Sequence, residues 1–408
     1  MRHVFSNVRL IDGVEDAARN DVDVVVDGER ITAIVPHGAA WPEAPSAAPD
    51  GAPPVVIDGT GSTLLPGLID AHAHYTFDPT EGSIATIARR SDAEIVLAAA
   101  GHAARALRAG VTTARGAGSI RNLELALRDA IAAGRVPGPR LLAAGSAIGI
   151  TGGHGHQFGI EADGEFELAR AVRQQVREGA DVIKIVASEA AMLTTTGLAP
   201  GRLVHGDLEL TEAEIAAIVD EARKLHVRVM SHAQGSESVI ASARAGVDSV
   251  EHAWLADRAA IEMLAASGAF LVPTLVVTDV NRDLPGLTSV QRERQDLIER
   301  RHRASCEAAI ELGVPIATGT DTGEVGVTAD LVWREIVLLH DHGASPMAAI
   351  KAATSDAARL LGLDGEVGTV EPGKLADLVL VNGDPLADLS RLSRPTFVMQ
   401  FGRAVPFA

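Results

Sequence analysis

The fold is decided by residues 64–74, which read Leu-Leu-Pro-Gly-Leu-Ile-Asp-Ala-His-Ala-His. An apolar run typical of a buried strand ends abruptly here in an Asp-x-His-x-His pattern. Successive side chains of a strand alternate between its two faces, so His72 and His74 point to the same side. The pair is either half of a metal site or two histidines at an exposed strand end, and the rest of the chain must distinguish these alternatives.

Length and composition indicate a soluble globular enzyme with a large aliphatic core. The chain has 408 residues, of which 47% are hydrophobic and only 3% aromatic. This length allows one large domain and one smaller domain. With 36 basic and 54 acidic residues the formal charge is −18, which argues against nucleic acid or an anionic membrane as a partner. We expect a small-molecule substrate and a homo-oligomer.

Cysteine content and the first residues of the chain predict the compartment. Cys306 is the single cysteine, so we expect a packed thiol and no internal disulfide. The first twelve residues lack the apolar region of a signal peptide, and no apolar run reaches membrane-spanning length. We expect a cytoplasmic protein.

Both ends of the chain are rich in short β-type runs. Candidate strands lie at 4–11, 22–26, 31–35 and 55–58, and again at 368–370, 378–381 and 396–401. Turn dipeptides such as Asp12-Gly13 and Pro372-Gly373 separate them. We predict a small composite β-sandwich domain built from residues 1–60 and 366–408.

Residues 61–365 alternate between candidate strands and helices. Strands are predicted at 64–74, 111–115, 140–148, 181–187, 227–233, 249–253, 270–275 and 315–321, with helical periodicity between them. Thr211-x-x-Glu214 is a capping box that starts one helix. The alternation predicts an α/β fold, a (β/α)8 TIM barrel over residues 61–365. A doubly wound sheet is the alternative, but no Gly-x-Gly-x-x-Gly loop follows the first strand.

Further polar residues fall at the carboxyl ends of candidate strands, where barrel enzymes build their active sites. Lys184 lies inside the apolar run 181–186; such an ammonium must be paired, neutralised or chemically changed unless it extends to solvent. His232, His252 and Asp321 end the fifth, sixth and eighth strands. Each alone could be structural, a core histidine or, for Asp321, a helix N-cap. Together with the first histidine pair they indicate metal ligands.

The first strand, the Gly-Ala-Asp-Val-Ile-Lys segment at 179–184 and the return strand at 370–379 resemble the amidohydrolase superfamily, in particular its prolidase-like branch. The resemblance implies that CO2 carboxylates Lys184 to N6-carboxylysine, which bridges two divalent metal ions. It also implies that one ion is held by His72, His74 and Asp321, and the other by His232 and His252. Four imidazoles and two oxygen donors suit zinc best, although manganese or cobalt would also bind.

A mechanism follows from the same resemblance. It implies a metal-bridging hydroxide as the nucleophile, with Asp321 as the group that accepts its proton and passes it to the leaving nitrogen. The Thr-Gly-Gly-His-Gly loop at 151–155 resembles a substrate loop of the branch, so we count His154 as a catalytic residue that binds the substrate carbonyl or carboxylate. Arg115 either binds a substrate carboxylate or packs with a paired acid. Gln234 stands where dipeptide-cleaving relatives carry tyrosine and is expected to contact substrate. We interpret His156 as a loop residue and His205 as a surface residue, with no assigned role.

The expected reaction is hydrolysis of an exocyclic amide in a dipeptide or N-acyl amino acid, including Xaa-Pro-like or aryl-acyl compounds such as ochratoxin. One alternative is a cyclic amide hydrolase, like imidazolonepropionase or hydantoinase. Imidazolonepropionase uses one metal and no carboxylated lysine, so Lys184 argues against it. A catalytically dead scaffold is the other alternative, and the presence of all six ligand types argues against that.

Overall fold

The computed structural model describes residues 1–43, 53–80, 87–190 and 206–406. His205 lies outside these residues. In chain order the strands are β1 Arg2–Leu10, β2 Arg19–Asp27, β3 Arg30–Pro36, β4 Val55–Asp58, β5 Ser62–Pro66, β6 Leu68–Ala73, β7 Val111–Gly116, β8 Arg140–Leu142, β9 Ile148–Gly149, β10 Ile160–Glu161, β11 Val182–Val186, β12 Arg228–Gly235, β13 Ser249–Leu255, β14 Phe270–Val272, β15 Leu378–Asn382, β16 Pro395–Gln400 and β17 Arg403–Ala404.

Most helices lie between the strands of the middle region. In chain order the helices are α1 Asp92–Arg108, α2 Leu123–Ala132, α3 Gly164–Glu178, α4 Glu212–Lys224, α5 Ser236–Ala245, α6 Arg258–Ser267, α7 Leu275–Arg282, α8 Ser289–Glu311, α9 Val332–Asp341, α10 Pro346–Ala352 and α11 Ser355–Leu361, with short 3-10 turns at Ile120–Asn122 and Leu389–Ser393. No helix in the described ranges is both long and apolar enough to cross a membrane.

Strands from the two ends of the chain form one sheet, in the order β17-β16-β15-β5-β1-β2-β3, with β4 paired to β1. Strand β5 runs parallel to β1 and antiparallel to β15, so it joins the amino-terminal strands to the carboxyl-terminal ones. The predicted strand at 368–370 is wrong. That segment is irregular, although the Val370 amide donates to the Asp12 carbonyl oxygen at 2.9 Å.

The stretch at 64–74, predicted as one strand, is divided between two sheets. β5 ends at Pro66, and β6 begins at Leu68 in a parallel sheet with β7 and β8. The break falls at Gly67, where an added Cβ would meet the Thr112 hydroxyl oxygen at 2.1 Å. Only glycine permits this close approach, which lets the chain leave one sheet and enter the other.

The middle of the chain carries two parallel sheets, β6-β7-β8 and β10-β9-β11-β12-β13-β14. Residues 315–322 connect them: the Leu271 amide donates to the Pro315 carbonyl at 2.9 Å, and the Ala71 amide donates to the Thr318 carbonyl at 2.8 Å. The segment forms isolated bridges rather than the full strand predicted at 315–321. The continuous strand predicted at 140–148 is also wrong, because Gly145 takes a positive φ of 75° between β8 and β9.

The helices bury apolar stripes against the parallel sheets. In α4 the buried residues Ile215, Ile218, Val219 and Ala222 recur at the three- and four-residue spacing of one helix face. The predicted capping box is confirmed: Thr211 accepts from the Glu214 amide, and Glu214 accepts from the Thr211 amide at 2.9 Å. Such a cap contributes about 1 kcal/mol. Cys306 is fully buried in α8, as expected for a packed thiol.

Candidate metal centre

His72 and His74 meet Asp321 at the carboxyl end of β6. Nε2 of His72 lies 3.2 Å from Oδ1 of Asp321, and Nε2 of His74 lies 3.4 Å from the same oxygen. One ligand atom from each of the three residues lies within 4.8 Å of the other two, and all three residues are buried. The three side chains could hold one metal ion.

The other predicted ligands surround this group. The ring centroid of His252 lies 4.9 Å from that of His72 and 4.6 Å from that of His232. Nζ of Lys184 lies 3.4 Å from Nε2 of His72. Lys184 is only 4% exposed, so the alternative in which it extends to solvent is wrong. The structure brings all six predicted side chains to one place.

The backbone at His252 explains how neighbouring residues of β13 both face the centre. Alternation along a strand would send Glu251 and His252 to opposite sides. His252 and Ala253 instead have positive φ values of 75° and 51°, which interrupt the regular alternation within β13. As a result the Glu251 carboxylate and the His252 ring both lie beside His72. Non-glycine residues rarely adopt this conformation, and such strain is concentrated at functional sites.

Fixed acceptors orient two of the imidazoles. Nδ1 of His72 lies 2.7 Å from Oε2 of Glu251, and Nδ1 of His74 lies 2.9 Å from the Gly118 carbonyl oxygen. An ionised carboxylate and a carbonyl only accept hydrogen bonds, so each Nδ1 carries the proton. Each Nε2 then has a free lone pair directed toward Asp321. Metal-binding histidines normally donate their other ring nitrogen to an acceptor of this kind.

Glu251 is a central residue that the sequence analysis missed. It is fully buried and accepts from Nη2 of Arg115 at 3.0 Å through Oε1 while its other oxygen contacts His72. Arg115 also donates to the Ala71 carbonyl at 2.7 Å. Of the two alternatives for Arg115, packing with a paired acid is therefore observed. Arg115 does not line the cavity described below, so the structure lends no support to its predicted contact with substrate. The sequence did contain a signal for Glu251, because it is an acidic residue inside an apolar strand and directly precedes His252.

Burial controls the charge state of the centre. Desolvation lowers the pKa of His74 to about 3 and that of Lys184 to about 8. For Asp321, burial acts to raise the pKa, but His72, His74 and Lys184 outweigh it and hold the pKa below its usual value. Neutral imidazoles beside an ionised carboxylate are the forms that bind metal ions.

The donor set fits divalent metals. Imidazole nitrogens and carboxylate oxygens are zinc ligands. Nε2 of His232 is fully buried, and no hydrogen-bond partner lies beside it among the described residues. Such an unpaired polar atom is costly in a protein interior. A metal-bound state of the cluster would relieve that cost.

The six side chains line a cavity of about 950 Å³. His154 lines it, with its ring centroid 4.8 Å from that of His232, and its backbone amide donates to Glu209 at 2.9 Å. Gln234 and His156 also line the cavity, and Nδ1 of His156 lies 2.9 Å from the Gly153 carbonyl oxygen. The apolar part of the wall includes Phe77, Ile87, Phe158, Trp254, Leu284 and Leu287.

A cluster of nitrogen and oxygen donors that lines a cavity at strand ends is the kind of site in which enzymes with α/β folds can hold a metal ion. The family model described as "Amidohydrolase family" matches residues 63–405, and the chain belongs to this family. It is similar to ochratoxinase of Aspergillus niger, with 29% identity over 82% of this chain and 73% of that protein. It is also 27% identical to imidazolonepropionase of Symbiobacterium thermophilum, over 80% of this chain and 76% of that one.

Solved structures agree with the family. A Xaa-Pro dipeptidase with bound methionine in its active site superimposes with a TM-score of 0.85 at 29% identity, covering 99% of each chain. The expectation that this chain is an amidohydrolase of α/β fold is therefore confirmed.

Proposed function

We propose that this protein is a binuclear metal-dependent amidohydrolase that cleaves an exocyclic amide of a dipeptide or N-acyl amino acid. His72, His74 and Asp321 would hold one ion, and His232 and His252 the other. The observation that carries the proposal is the convergence of these side chains with buried Lys184, whose Nζ lies 3.4 Å from His72. The proposed architecture is a (β/α)8 barrel over residues 61–365, with a β-sandwich built from 1–60 and 366–408 to which strand β5, Ser62–Pro66, is added.

Lys184 would serve as N6-carboxylysine between the two ions. The Lys184 ammonium would first lose one proton. The neutral amine would then attack CO2, forming an N–C bond and releasing a second proton, so that a buried cation becomes an anionic oxygen ligand. This conversion removes the cost of burying an ammonium among apolar residues of β11. It also supplies the oxygen donor that four imidazoles and one aspartate lack.

The chain's own residues would bind the substrate and move the proton. Two divalent ions, when bound, lower the pKa of water toward about 7 and polarise a carbonyl. Asp321, ionised and lining the cavity, would accept a proton from the attacking water and deliver it to the leaving nitrogen. An amide requires this delivery because an amide anion is a very poor leaving group. His154 and Gln234, both on the cavity wall, would bind the substrate carbonyl or carboxylate.

The wall of the cavity supports a substrate with a bulky apolar group. Phe77 stacks on His74 with ring centroids 4.6 Å apart and meets Phe158 edge-on at 5.1 Å. These rings place an aromatic surface directly beside the proposed metal ligands. The names of the similar proteins, ochratoxinase and Xaa-Pro dipeptidase, support an aryl-acyl amino acid or an Xaa-Pro-like dipeptide.

A cyclic amide is the second candidate, because the chain also resembles imidazolonepropionase. Buried Lys184 beside His72 argues for the exocyclic substrate, since a carboxylated lysine belongs to binuclear sites. Zinc is the proposed metal, and manganese or cobalt could replace it.

Metal analysis and a substrate screen test the proposal together. The purified chain should bind about two ions of zinc and hydrolyse N-acyl amino acids or dipeptides, with cyclic imides and hydantoins as the comparison set. Turnover of the cyclic set alone would favour the second candidate. No bound metal and no turnover after incubation with zinc, manganese or cobalt and bicarbonate would instead indicate a catalytically dead scaffold.

We further propose a cytoplasmic homo-oligomer that binds neither nucleic acid nor membranes. The formal charge of −18 supports the last two points. Light scattering coupled to size-exclusion chromatography should give a mass of at least two chains of 42.4 kDa each, and a mass of one chain would contradict the oligomer.

A further inference from the structure

Thr274 directly precedes helix α7, but its hydroxyl does not cap that helix. It occupies the N-cap position with φ 55° and ψ 45° and makes no side-chain cap bond. Threonine at an N-cap normally accepts a hydrogen bond from an amide of the first turn. A β-branched residue in left-handed conformation is also strained. The surrounding structure must therefore hold Thr274 in this conformation.

Glu335 of helix α9 takes over the capping. Its two carboxylate oxygens accept from the Leu275 amide at 2.9 Å and the Val276 amide at 2.8 Å. The first amides of α7 are thus satisfied without Thr274. Because Glu335 is fully buried, this arrangement is shielded from water. The Thr274 hydroxyl is left to make other contacts.

Those contacts lead to the metal centre. Oγ1 of Thr274 lies 2.6 Å from the Pro273 carbonyl oxygen and 2.8 Å from Nδ1 of His252. Nε1 of Trp254, which can only donate, lies 3.3 Å from Oγ1. The other nearby acceptor for Nδ1 of His252, an oxygen of Asp321, is 4.0 Å away and too distant for a hydrogen bond.

We propose that Thr274 is a positioning residue that fixes the tautomer and orientation of His252. Its single hydroxyl proton is donated to the Pro273 carbonyl, so Oγ1 accepts the Nδ1 proton of His252. Nε2 is then the nitrogen with a free lone pair, and the ring cannot rotate without losing this bond. This inference rests on the proposed function only in treating His252 as a metal ligand.

The neighbouring Thr278 provides a matched control. It lies one turn further along α7, is buried, and its Oγ1 lies 3.0 Å from Nδ1 of a different histidine, His302. His302 is not among the proposed ligands. Thr278→Val therefore removes the same kind of hydroxyl–imidazole contact from the same helix, but away from the centre.

The first test measures zinc affinity of the full chain by competition with a chelator. Thr274→Val keeps the shape and the branched Cβ. It should weaken binding of zinc about 10- to 100-fold, as is usual when a residue that is hydrogen-bonded to a metal ligand is removed. Thr274→Ser, which keeps the hydroxyl, and Thr278→Val should both match the parent chain. Equal affinity of Thr274→Val and the parent chain would overturn the inference while leaving the metal centre intact. Absence of zinc binding by the parent chain would contradict the proposed function instead.

A second measurement needs no folded Thr274→Val. The measurement is a nitrogen-15 spectrum of the zinc-loaded parent chain. The ring resonances of His252 are assigned by their loss in His252→Gln, and they should show a proton on Nδ1. A proton on Nε2 would overturn the inference whatever the variants do.

Discussion

Arg115 and Glu251 form an ion pair of 3.0 Å with side chains only 2% and 0% exposed. The pair joins β7 to β13 and continues through Glu251 to His72. Burial alone would raise the pKa of Glu251, but Arg115 first, then His72 and Lys184, lower it to about 2. Glu251 therefore stays ionised and can hold the His72 ring at neutral pH.

Arg115→Met should be strongly destabilising, because it leaves the Glu251 charge buried without its partner. Loss of one partner of a buried pair costs about 3–5 kcal/mol of unfolding free energy. The double variant Arg115→Met with Glu251→Gln should recover part of this loss, which denaturant titration would measure. Arg258→Met, at an exposed ion pair with Glu311, serves as the control and should leave the midpoint unchanged. An equal loss of unfolding free energy in the single and double variants would refute the coupling between Arg115 and Glu251.

Lys184→Ala should reduce turnover by more than about 100-fold, because it removes a proposed metal ligand. Loss of a residue that only holds a ligand in place costs about 10- to 100-fold. Short carboxylic acids such as acetate or propionate should restore part of the activity, because they can replace the carbamate oxygens. The measurement is initial rate against acid concentration. Lys224→Ala, at a lysine that is 69% exposed on α4, should behave as the parent chain. Normal turnover in Lys184→Ala would refute the bridging role.

His154→Ala should raise KM for substrates with a free carboxylate more than for their amides. A hydrogen bond to a charged group contributes about 1.5–3 kcal/mol, or roughly 10- to 100-fold in affinity. Comparing each acid with its amide isolates this contribution. His156→Ala is the control, since Nδ1 of His156 is engaged with the Gly153 carbonyl. If the KM of the acid and the KM of its amide rise by the same factor, His154 does not recognise the carboxylate.

Asp23 should make the stability of the terminal sheet depend on acid pH. Burial acts to raise its pKa, but hydrogen bonds from Trp41, the Asn7 amide, His37 and Ser6 outweigh it and lower the pKa. A carboxyl whose folded-state pKa is depressed stabilises the fold above its unfolded value of about 3.9 and loses that contribution as pH falls through the folded value.

Asp23→Asn should therefore be less stable than the parent chain at pH 7, by about 1–3 kcal/mol. The difference should shrink as pH falls below about 4. Denaturant titrations from pH 7 to 2.5 would show this. Asp220→Asn, at a side chain 68% exposed, should follow the parent chain throughout. A constant difference between Asp23→Asn and the parent at all pH values would contradict the assignment.

The sequence by itself predicted six candidate metal ligands and the alternating pattern around them. Two-residue spacing on one strand predicted that His72 and His74 point to the same side, and the capping box of α4 was visible because a cap involves only neighbours in the chain. Lys184, His232, His252 and Asp321 were found because each polar side chain interrupts or ends an apolar run.

The tertiary structure decided what those side chains contact. The partner of Arg115 could not be chosen from sequence, since Glu251 lies 136 residues away and local periodicity carries no information about such pairs. The inward turn of both Glu251 and His252 depends on positive φ values that violate strand alternation. Gly67 splits the first strand because Thr112 packs against it, and Thr274 faces His252 because Glu335 caps its helix. Each feature depends on atoms far apart in the chain, and folding alone brings them together.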